Sequence, residues 1–143
     1  MTCADTSFLI SFYGNDVNSE DARQFRAVSR RPLHVHSLND FELANALRTL
    51  VFRGKITVVQ RRDWLADYEE DKAIGTLIFT KLDANAVLRR ADVVSVAWTE
   101  TDGHRAFDIL HIAAAKILGA TEFWSFDGRQ RALAAAEGLA VGP

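Results

Sequence analysis

The chain has 143 residues, of which 48% are hydrophobic and 25% charged, and this composition is typical of a soluble globular protein. The length is enough for a buried core, and we expect a single domain over residues 1–143. The formal net charge of −2 does not by itself indicate a nucleic-acid-binding protein. Cys3 is the single cysteine, which excludes an internal disulfide. No apolar run reaches the roughly 18 residues of a membrane span, and no signal-peptide pattern is present, so we predict a cytoplasmic protein without membrane contact.

The N-terminal segment predicts a short buried strand over about residues 1–5, with Asp5 at its carboxyl end. Thr6 or Ser7 can cap the helix that follows. A second helix is expected to end near Arg30, because a proline follows two residues later. Ligands of open α/β sheets bind outside the carboxyl ends of strands, so an acid in this position is well placed for chemistry, although a plain capping role is an equal alternative.

Residues 33–36 form a short β-like run, in which His34 and His36 have the spacing of one strand face. Two histidines can bind a metal, but surface or partly buried histidines are the favoured interpretation. The next helix is capped within residues 37–40, ends near Gly54, and carries Glu42. We place Glu42 in the first turn, where the helix dipole favours an anion and where the side chain points toward the crevice expected near the first strand.

Three elements are expected in the middle of the chain: a helix over 58–73, an extended connection or edge strand over 76–79, and a helix from Asp83 to about Ala97. A loop over 99–103 then leads to an alanine-rich helix. The chain ends with a strand that reaches Asp127, a helix over 131–137 and a strand over 139–141. Helical connections between short strands predict an α/β fold with a parallel sheet covered on both faces.

The alanine-rich helix Arg105–Ala115 carries a carboxylate, Asp108, within its apolar run. An ionised carboxylate beside apolar packing is costly without a compensating partner. Asp5, Glu42 and Asp127 occupy comparable places, so all four acids can reach one crevice. Because four clustered carboxylates repel one another, a hard divalent cation such as Mg²⁺ or Mn²⁺ would relieve the conflict. Such a site can activate water for attack on phosphorus.

Neighbouring residues suggest supporting roles. Thr6 and Ser7 can orient the Asp5 carboxylate. Arg105 either contacts a substrate phosphate or pairs with a site acid, two equal alternatives, and Arg129 is a candidate phosphate contact. For His111, a hydrogen-bonded position in the core is favoured over a general acid. The three tryptophans, Trp64, Trp98 and Trp124, are candidates for base stacking. Trp124 lies in a predicted strand and is more consistent with a core position.

Four segments resemble PIN-domain proteins, and more narrowly the VapC-type toxins of bacterial toxin–antitoxin pairs. They are Asp5-Thr6-Ser7, Phe41–Leu47, Arg105–Ala115 and Phe126–Gln130. The resemblance implies a three-layer α/β/α sandwich with a short central parallel sheet. It also implies an Mg²⁺- or Mn²⁺-dependent endoribonuclease that is inhibited by a cognate antitoxin protein. Many relatives form homodimers, so a homodimer is expected as well.

By position, the resemblance makes Asp5, Glu42 and Asp108 the core metal-binding and catalytic acids, with Asp127 as the fourth. Ser125 stands where many relatives have threonine, and either hydroxyl can hydrogen-bond a ligating carboxylate. The alternative is a catalytically silent module that keeps the fold and works by protein or RNA contact. The presence of all four acids favours the nuclease.

Overall fold

A computed structural model describes residues 1–29 and 31–143. Within these residues, five strands form one sheet, and they are β1 (Thr2–Ala4), β2 (Leu33–Val35), β3 (Leu77–Phe79), β4 (Glu122–Trp124) and β5 (Ala140–Gly142). Their order across the sheet is β3-β2-β1-β4-β5, and every neighbouring pair is parallel. The central position of β1 places the residue that follows it, Asp5, at the middle of the carboxyl edge.

The helices of the described residues connect the strands, and they are α1 (Thr6–Tyr13), α2 (Ser19–Ser29), α3 (Ser37–Phe52), α4 (Val58–Ala73), α5 (Ala84–Asp102), α6 (Ala106–Ile117) and α7 (Gly128–Ala136). None of these helices combines the length and apolarity that a bilayer crossing requires. Arg30, near which the second helix was predicted to end, lies outside the described residues.

Successive strand residues point to opposite faces of the sheet and divide the core in two. Cys3 and Phe123 contribute to a cluster with buried side chains of α5, α6 and α7. Ala4 and Trp124 contribute to a second cluster, with buried side chains of α1, α2, α3 and α4. Helices therefore cover both faces, and the predicted α/β/α sandwich with a short central parallel sheet is confirmed. Of the two alternatives for residues 76–79, the edge strand is correct, because β3 pairs with β2.

Several predicted boundaries are wrong, because caps act earlier or later than the pattern indicates. Thr6 and Ser7 do not cap α1, and the capping role that was the alternative for Asp5 is observed: its carboxylate accepts a hydrogen bond from the backbone N–H of Phe8 at 2.9 Å. The helix α3 begins at Ser37, which puts Glu42 in the second turn rather than the first. The macrodipole argument for an anion at this position is weakened accordingly, since the effect falls off within the first turn.

The C-terminal boundaries differ in the same way. The predicted loop over 99–103 is mostly helical, because α5 continues to Asp102 and ends where Gly103 adopts φ +69°. The last helix begins at Gly128, three residues before the prediction, because the carboxylate of Asp127 caps it. Two of the four site acids, Asp5 and Asp127, are therefore also N-caps of helices that leave the carboxyl edge of the sheet.

Candidate active site

Asp5 forms the buried side of the candidate site. Its residue surface is only 2% exposed, and its carboxylate accepts hydrogen bonds from hydroxyl and backbone groups rather than from a cation. Ser7 Oγ lies 2.8 and 2.9 Å from the two carboxylate oxygens, and Ser125 Oγ lies 2.7 Å from Oδ2. Burial raises the pKa of Asp5, and the hydrogen bonds from Phe8, Ser125 and Ser7 offset only part of that rise.

The two serines are oriented by the backbone that follows β4. Ser7 Oγ accepts the N–H of Phe126 at 2.9 Å, and Ser125 Oγ accepts the N–H of Asp127 at 2.9 Å. Because each hydroxyl carries one proton, accepting a backbone N–H leaves that proton free to be donated to Asp5. The loop after β4 thus fixes the direction in which the serine hydroxyls support the carboxylate.

Glu42 lies on α3 and is held by two donors from other helices. Thr6 Oγ1 donates a hydrogen bond to Glu42 Oε2. The sequence analysis had assigned Thr6 to the Asp5 carboxylate, and the structure corrects this to Glu42. His111 Nε2 lies 2.7 Å from the same oxygen, and this histidine is only 1% exposed on α6. Burial raises the pKa of Glu42, but the hydrogen bond and charge of His111, together with Thr6, outweigh burial and leave the pKa below its usual value.

The more exposed side of the site consists of Asp127, which is partly exposed, and of Arg105, whose guanidinium also pairs with the buried Asp108. Arg105 donates to Asp108 through Nε at 2.8 Å and through a terminal nitrogen at 3.1 Å. The same terminal nitrogen lies 2.8 Å from Asp127 Oδ2. Hydrogen bonding and charge from Asp108, then from Asp127, raise the pKa of Arg105. Of the two alternatives for Arg105, pairing with site acids is therefore the one observed.

Asp127 accepts two further hydrogen bonds from the first turn of α7. The backbone N–H groups of Arg129 and Gln130 lie 2.9 and 3.3 Å from its Oδ1. Burial raises the pKa of Asp127, but these N–H groups and Arg105 outweigh burial, so the pKa lies below its usual value. The guanidinium of Arg129 is exposed and makes no hydrogen bond or ion pair within the described part of the chain.

The other sequence candidates lie elsewhere. Trp124 is fully buried, Trp98 donates to Glu137 at 2.9 Å, and Trp64 packs against Gly14, so no tryptophan forms part of this site. The aromatic rings that reach the site are instead Phe107, whose centroid lies 6.5 Å from that of His111, and Phe41, which stacks on Phe107; the sequence analysis did not single them out. Both phenylalanines could have been noticed in the sequence, because each immediately precedes a site acid on the same helix.

The alternative metal pair of histidines is not formed. His34 Nδ1 lies 3.0 Å from Thr80 Oγ1. His36 is the buried N-cap residue of α3, and burial, with the charge of His111, lowers the pKa of His36 to about 3. Among residues 1–29 and 31–143, no three histidine, cysteine, aspartate or glutamate side chains already have the spacing of a metal site.

The donor set nevertheless fits a hard divalent cation. The four acids supply only carboxylate oxygens, which Mg²⁺ and Mn²⁺ prefer. Asp5 is a buried carboxylate that lacks a cationic hydrogen-bond partner among the described residues. Asp108 and Asp127 are turned toward Arg105, and this ion pairing explains why the acids do not already form a cluster. The side chain of Arg105 is 63% exposed and therefore free to rotate away.

The protein is therefore an α/β sandwich with a parallel sheet, and a candidate acidic metal site lies at the carboxyl ends of its strands. The chain belongs to the PIN domain family, whose family model matches residues 2–136. The resemblance inferred from the four sequence segments is thereby confirmed at the level of the family. A comparison with curated proteins gives no match.

Solved structures that share the fold include the following three. The first is the sarcin-ricin loop cleaving toxin VapC20 from Mycobacterium tuberculosis, with a TM-score of 0.73, 17% identity and 100% coverage of both chains. PAE2754 from Pyrobaculum aerophilum has a TM-score of 0.60 and 20% identity over 98% of this chain and 87% of its own. FitAcB from Neisseria gonorrhoeae has a TM-score of 0.68 and 15% identity over 100% and 97%. At these identities the likeness concerns the fold.

Proposed function

We propose that this protein is a VapC-type endoribonuclease that hydrolyses RNA phosphodiester bonds with water activated by Mg²⁺ or Mn²⁺. The observation that carries the proposal is the Asp5 carboxylate at the carboxyl edge of the sheet, which is buried, held by two serine hydroxyls and left without a cation among its hydrogen-bond partners in the described residues. Membership of the PIN domain family supports it, as does the fold shared with VapC20, a toxin that cleaves the sarcin-ricin loop.

Asp5, Glu42, Asp108 and Asp127 are the residues that would hold the cation. When bound, a divalent cation makes water a nucleophile at neutral pH and stabilises negative charge on the phosphate. The hydroxyls of Ser7 and Ser125 favour the ionised form of Asp5 and fix the orientation of its carboxylate. Their effect matters because a carboxylate protonated by burial would be a poor metal ligand.

The remaining residues position groups or bind the substrate. His111 on α6 and Thr6 on α1 both contact the Glu42 carboxylate, and these two contacts fix the orientation of the Glu42 side chain. Arg129 presents an exposed guanidinium at the start of α7, where it can contact a substrate phosphate. Arg105 can do the same once its two carboxylate partners are engaged elsewhere.

The partners follow from the same proposal. We propose a cognate antitoxin as the inhibitor, a homodimer as the assembly, residues 1–143 as one domain, and the cytoplasm as the location. The resemblance of the four sequence segments to VapC-type toxins is what supports the antitoxin and the homodimer.

The test is cleavage of a mixed structured RNA pool by purified protein, with Mg²⁺, with Mn²⁺ and with a chelator. We expect metal-dependent cutting that falls at least about a hundredfold in Asp108→Asn, since this substitution removes a ligand charge. Asp92→Asn is the matched control, because Asp92 is an exposed acid on α5 and makes no hydrogen bond within the described residues.

Two outcomes would contradict the proposal. Cutting by folded Asp108→Asn at the wild-type rate would show that the site is wrongly assigned. If the wild type neither cuts RNA nor binds Mn²⁺ by calorimetry, the catalytically silent binding module becomes the better description.

A further inference from the structure

Two phenylalanine rings extend from solvent to the candidate site. Phe41 on α3 is 60% exposed, and its ring stacks on that of Phe107 on α6, with centroids 6.0 Å apart and an interplanar angle of 23°. Phe107 in turn lies 6.5 Å from the ring of His111, whose Nε2 contacts Glu42 at 2.7 Å. One face of the stack therefore meets the side chains that hold a site acid, and the other end is open.

The chain sequence ties this stack to the acids. Phe41 immediately precedes Glu42, and Phe107 immediately precedes Asp108, so the same two helix segments supply both the carboxylates and the rings. A nucleic acid bound with a phosphate near the acids has its flanking bases within a few ångströms of that phosphate. Aromatic rings beside such a site are the groups on which unpaired bases stack.

We propose that Phe41, supported from behind by Phe107, is a stacking platform for an unpaired nucleobase of the RNA substrate. The inference rests on the proposed ribonuclease function and adds how the substrate is held. It implies that the bound RNA is single-stranded at this point, because a base paired within a duplex cannot present its face to a protein ring.

The surroundings of Phe41 favour a nucleic acid over an apolar protein partner. One and two turns further along the same face of α3, the exposed residues are Asn45 and Arg48, so two polar residues separate Phe41 from Phe52, the next exposed ring on that face. An amphipathic helix or strand would need apolar contacts at those positions. A ring followed by an amide and a guanidinium matches the combination of stacking and phosphate contact used to bind single strands.

The stack also supplies affinity that is independent of the phosphate contacts proposed for Arg48 and Arg129. Four acids repel a phosphate backbone, and of the nearby cations Arg105 is already paired with Asp108 and Asp127. Stacking on an aromatic ring is independent of charge and tolerates every base, since each base has a π-face. We therefore expect the platform to affect substrate affinity more than the rate of the chemical step.

The test uses single-stranded RNA of mixed sequence, about 12 nucleotides long, with 2-aminopurine at its centre, because the fluorescence of this base reports stacking directly. The protein carries Asp5→Asn so that the probe stays intact. We expect Phe41→Leu, which keeps an apolar side chain but removes the ring, to lower affinity at least about fivefold and to reduce the fluorescence change. Phe41→Tyr should restore both.

Phe52→Leu is the matched control, because it makes the same change on the same helix at a ring that is 90% exposed. It lies roughly 16 Å from Phe41 along the axis, at 1.5 Å per residue. We expect it to bind like the parent protein. If Phe41→Leu binds the RNA with the same affinity and the same fluorescence change as the parent protein, Phe41 is not a stacking platform. A contact with a protein partner then becomes the better explanation for the exposed ring.

The two proposals fail separately. Absence of metal-dependent cleavage by the wild type would remove the ribonuclease itself. Normal wild-type cleavage with a Phe41→Leu variant that binds the probe unchanged would remove only the platform.

Discussion

The two sides of the candidate site solve the same electrostatic problem in different ways. On the buried side, Asp5 is surrounded by hydroxyl and backbone donors and has no cation among its hydrogen-bond partners in the described chain. On the exposed side, the guanidinium of Arg105 joins the partly exposed Asp127 to Asp108, which is itself buried. The pKa of Asp5 is raised by burial, whereas the pKa of Asp127 is lowered by the N–H groups and the arginine that outweigh its burial.

This difference shows which parts of the site are fixed before any ligand arrives. The hydroxyls around Asp5 are oriented by backbone N–H groups and cannot rotate away without losing those hydrogen bonds. The Arg105 side chain is 63% exposed and can move into solvent, and a cation that takes over its buried partner, Asp108, would compensate for the lost ion pair. We infer that the buried side sets the position of a cation and that the exposed side adjusts to it.

The largest expected effect comes from removing a donor on the buried side. Ser125→Ala takes away the hydroxyl that donates to Asp5 Oδ2 at 2.7 Å, in a position that is fully buried. Hydrogen bonds to charged groups are worth about 1.5–3 kcal/mol, so we expect Mn²⁺ affinity to fall at least about tenfold in calorimetry.

Ser95→Ala, which removes a hydroxyl on α5 from a contact with Thr99, is the control for the loss of a serine. If Ser125→Ala binds Mn²⁺ like Ser95→Ala, the buried side is not the part that fixes the cation.

A smaller effect of opposite sign is expected on the exposed side. Arg105→Gln removes the internal cation that competes for Asp108 and Asp127, so Mn²⁺ should bind about three- to fivefold more tightly. The measurement is again calorimetry with Mn²⁺.

Arg129→Gln changes the net charge equally but breaks no ion pair within the described residues, and so separates direct competition from the general field. Unchanged or weaker binding in Arg105→Gln, relative to Arg129→Gln, would contradict competition between the arginine and the cation.

The smallest effect is on stability. Because burial raises the pKa of Asp5 in the folded protein, its ionisation costs folding free energy once the pH exceeds the unfolded-state value of about 4, and the full cost is present above the folded-state pKa. In a chelator at neutral pH, Asp5→Asn should therefore melt a few degrees higher than the wild type, although it is expected to be inactive.

The melting difference should shrink as the pH falls toward 4, because both proteins then carry a neutral side chain at position 5. Glu42 and Asp127, whose pKa values are lowered, are present in both proteins and largely cancel in the comparison. A variant that melts lower than the wild type at neutral pH would contradict a destabilising buried charge.

The sequence was informative where chemistry follows from position along one element. Asp5 and Asp127 could be placed because Asp5 directly follows β1 and Asp127 lies three residues after the end of β4, and parallel strands bring their carboxyl ends to one edge. The parallel sheet and its two helical layers were predicted from the alternation of short strands and helices along the chain. The helix boundaries near Glu42 and Gly103 were misplaced, since caps depend on backbone geometry that side-chain patterns reflect only weakly.

Contacts between elements could not be read in this way. Thr6 was expected beside Asp5, its neighbour in sequence, but the packing of α1 against α3 directs its hydroxyl to Glu42. The alternatives for Arg105 were decided only by the approach of Asp127 from a different element. The favoured core position of His111 agrees with its burial, whereas its contact with Glu42 needed the relative placement of α3 and α6.

The hydrogen bond between Asp5 and Ser125 joins residues 120 positions apart in the chain. During synthesis on a ribosome, β1 therefore emerges long before β4, its neighbour in the finished sheet. Asp5 stays without its Ser125 hydroxyl, and Arg105 without Asp127, until the segment after β4 has emerged and folded against the earlier part of the chain. The acidic site is thus completed only after β4 has paired with β1, so a nascent chain that ends before β4 cannot form it.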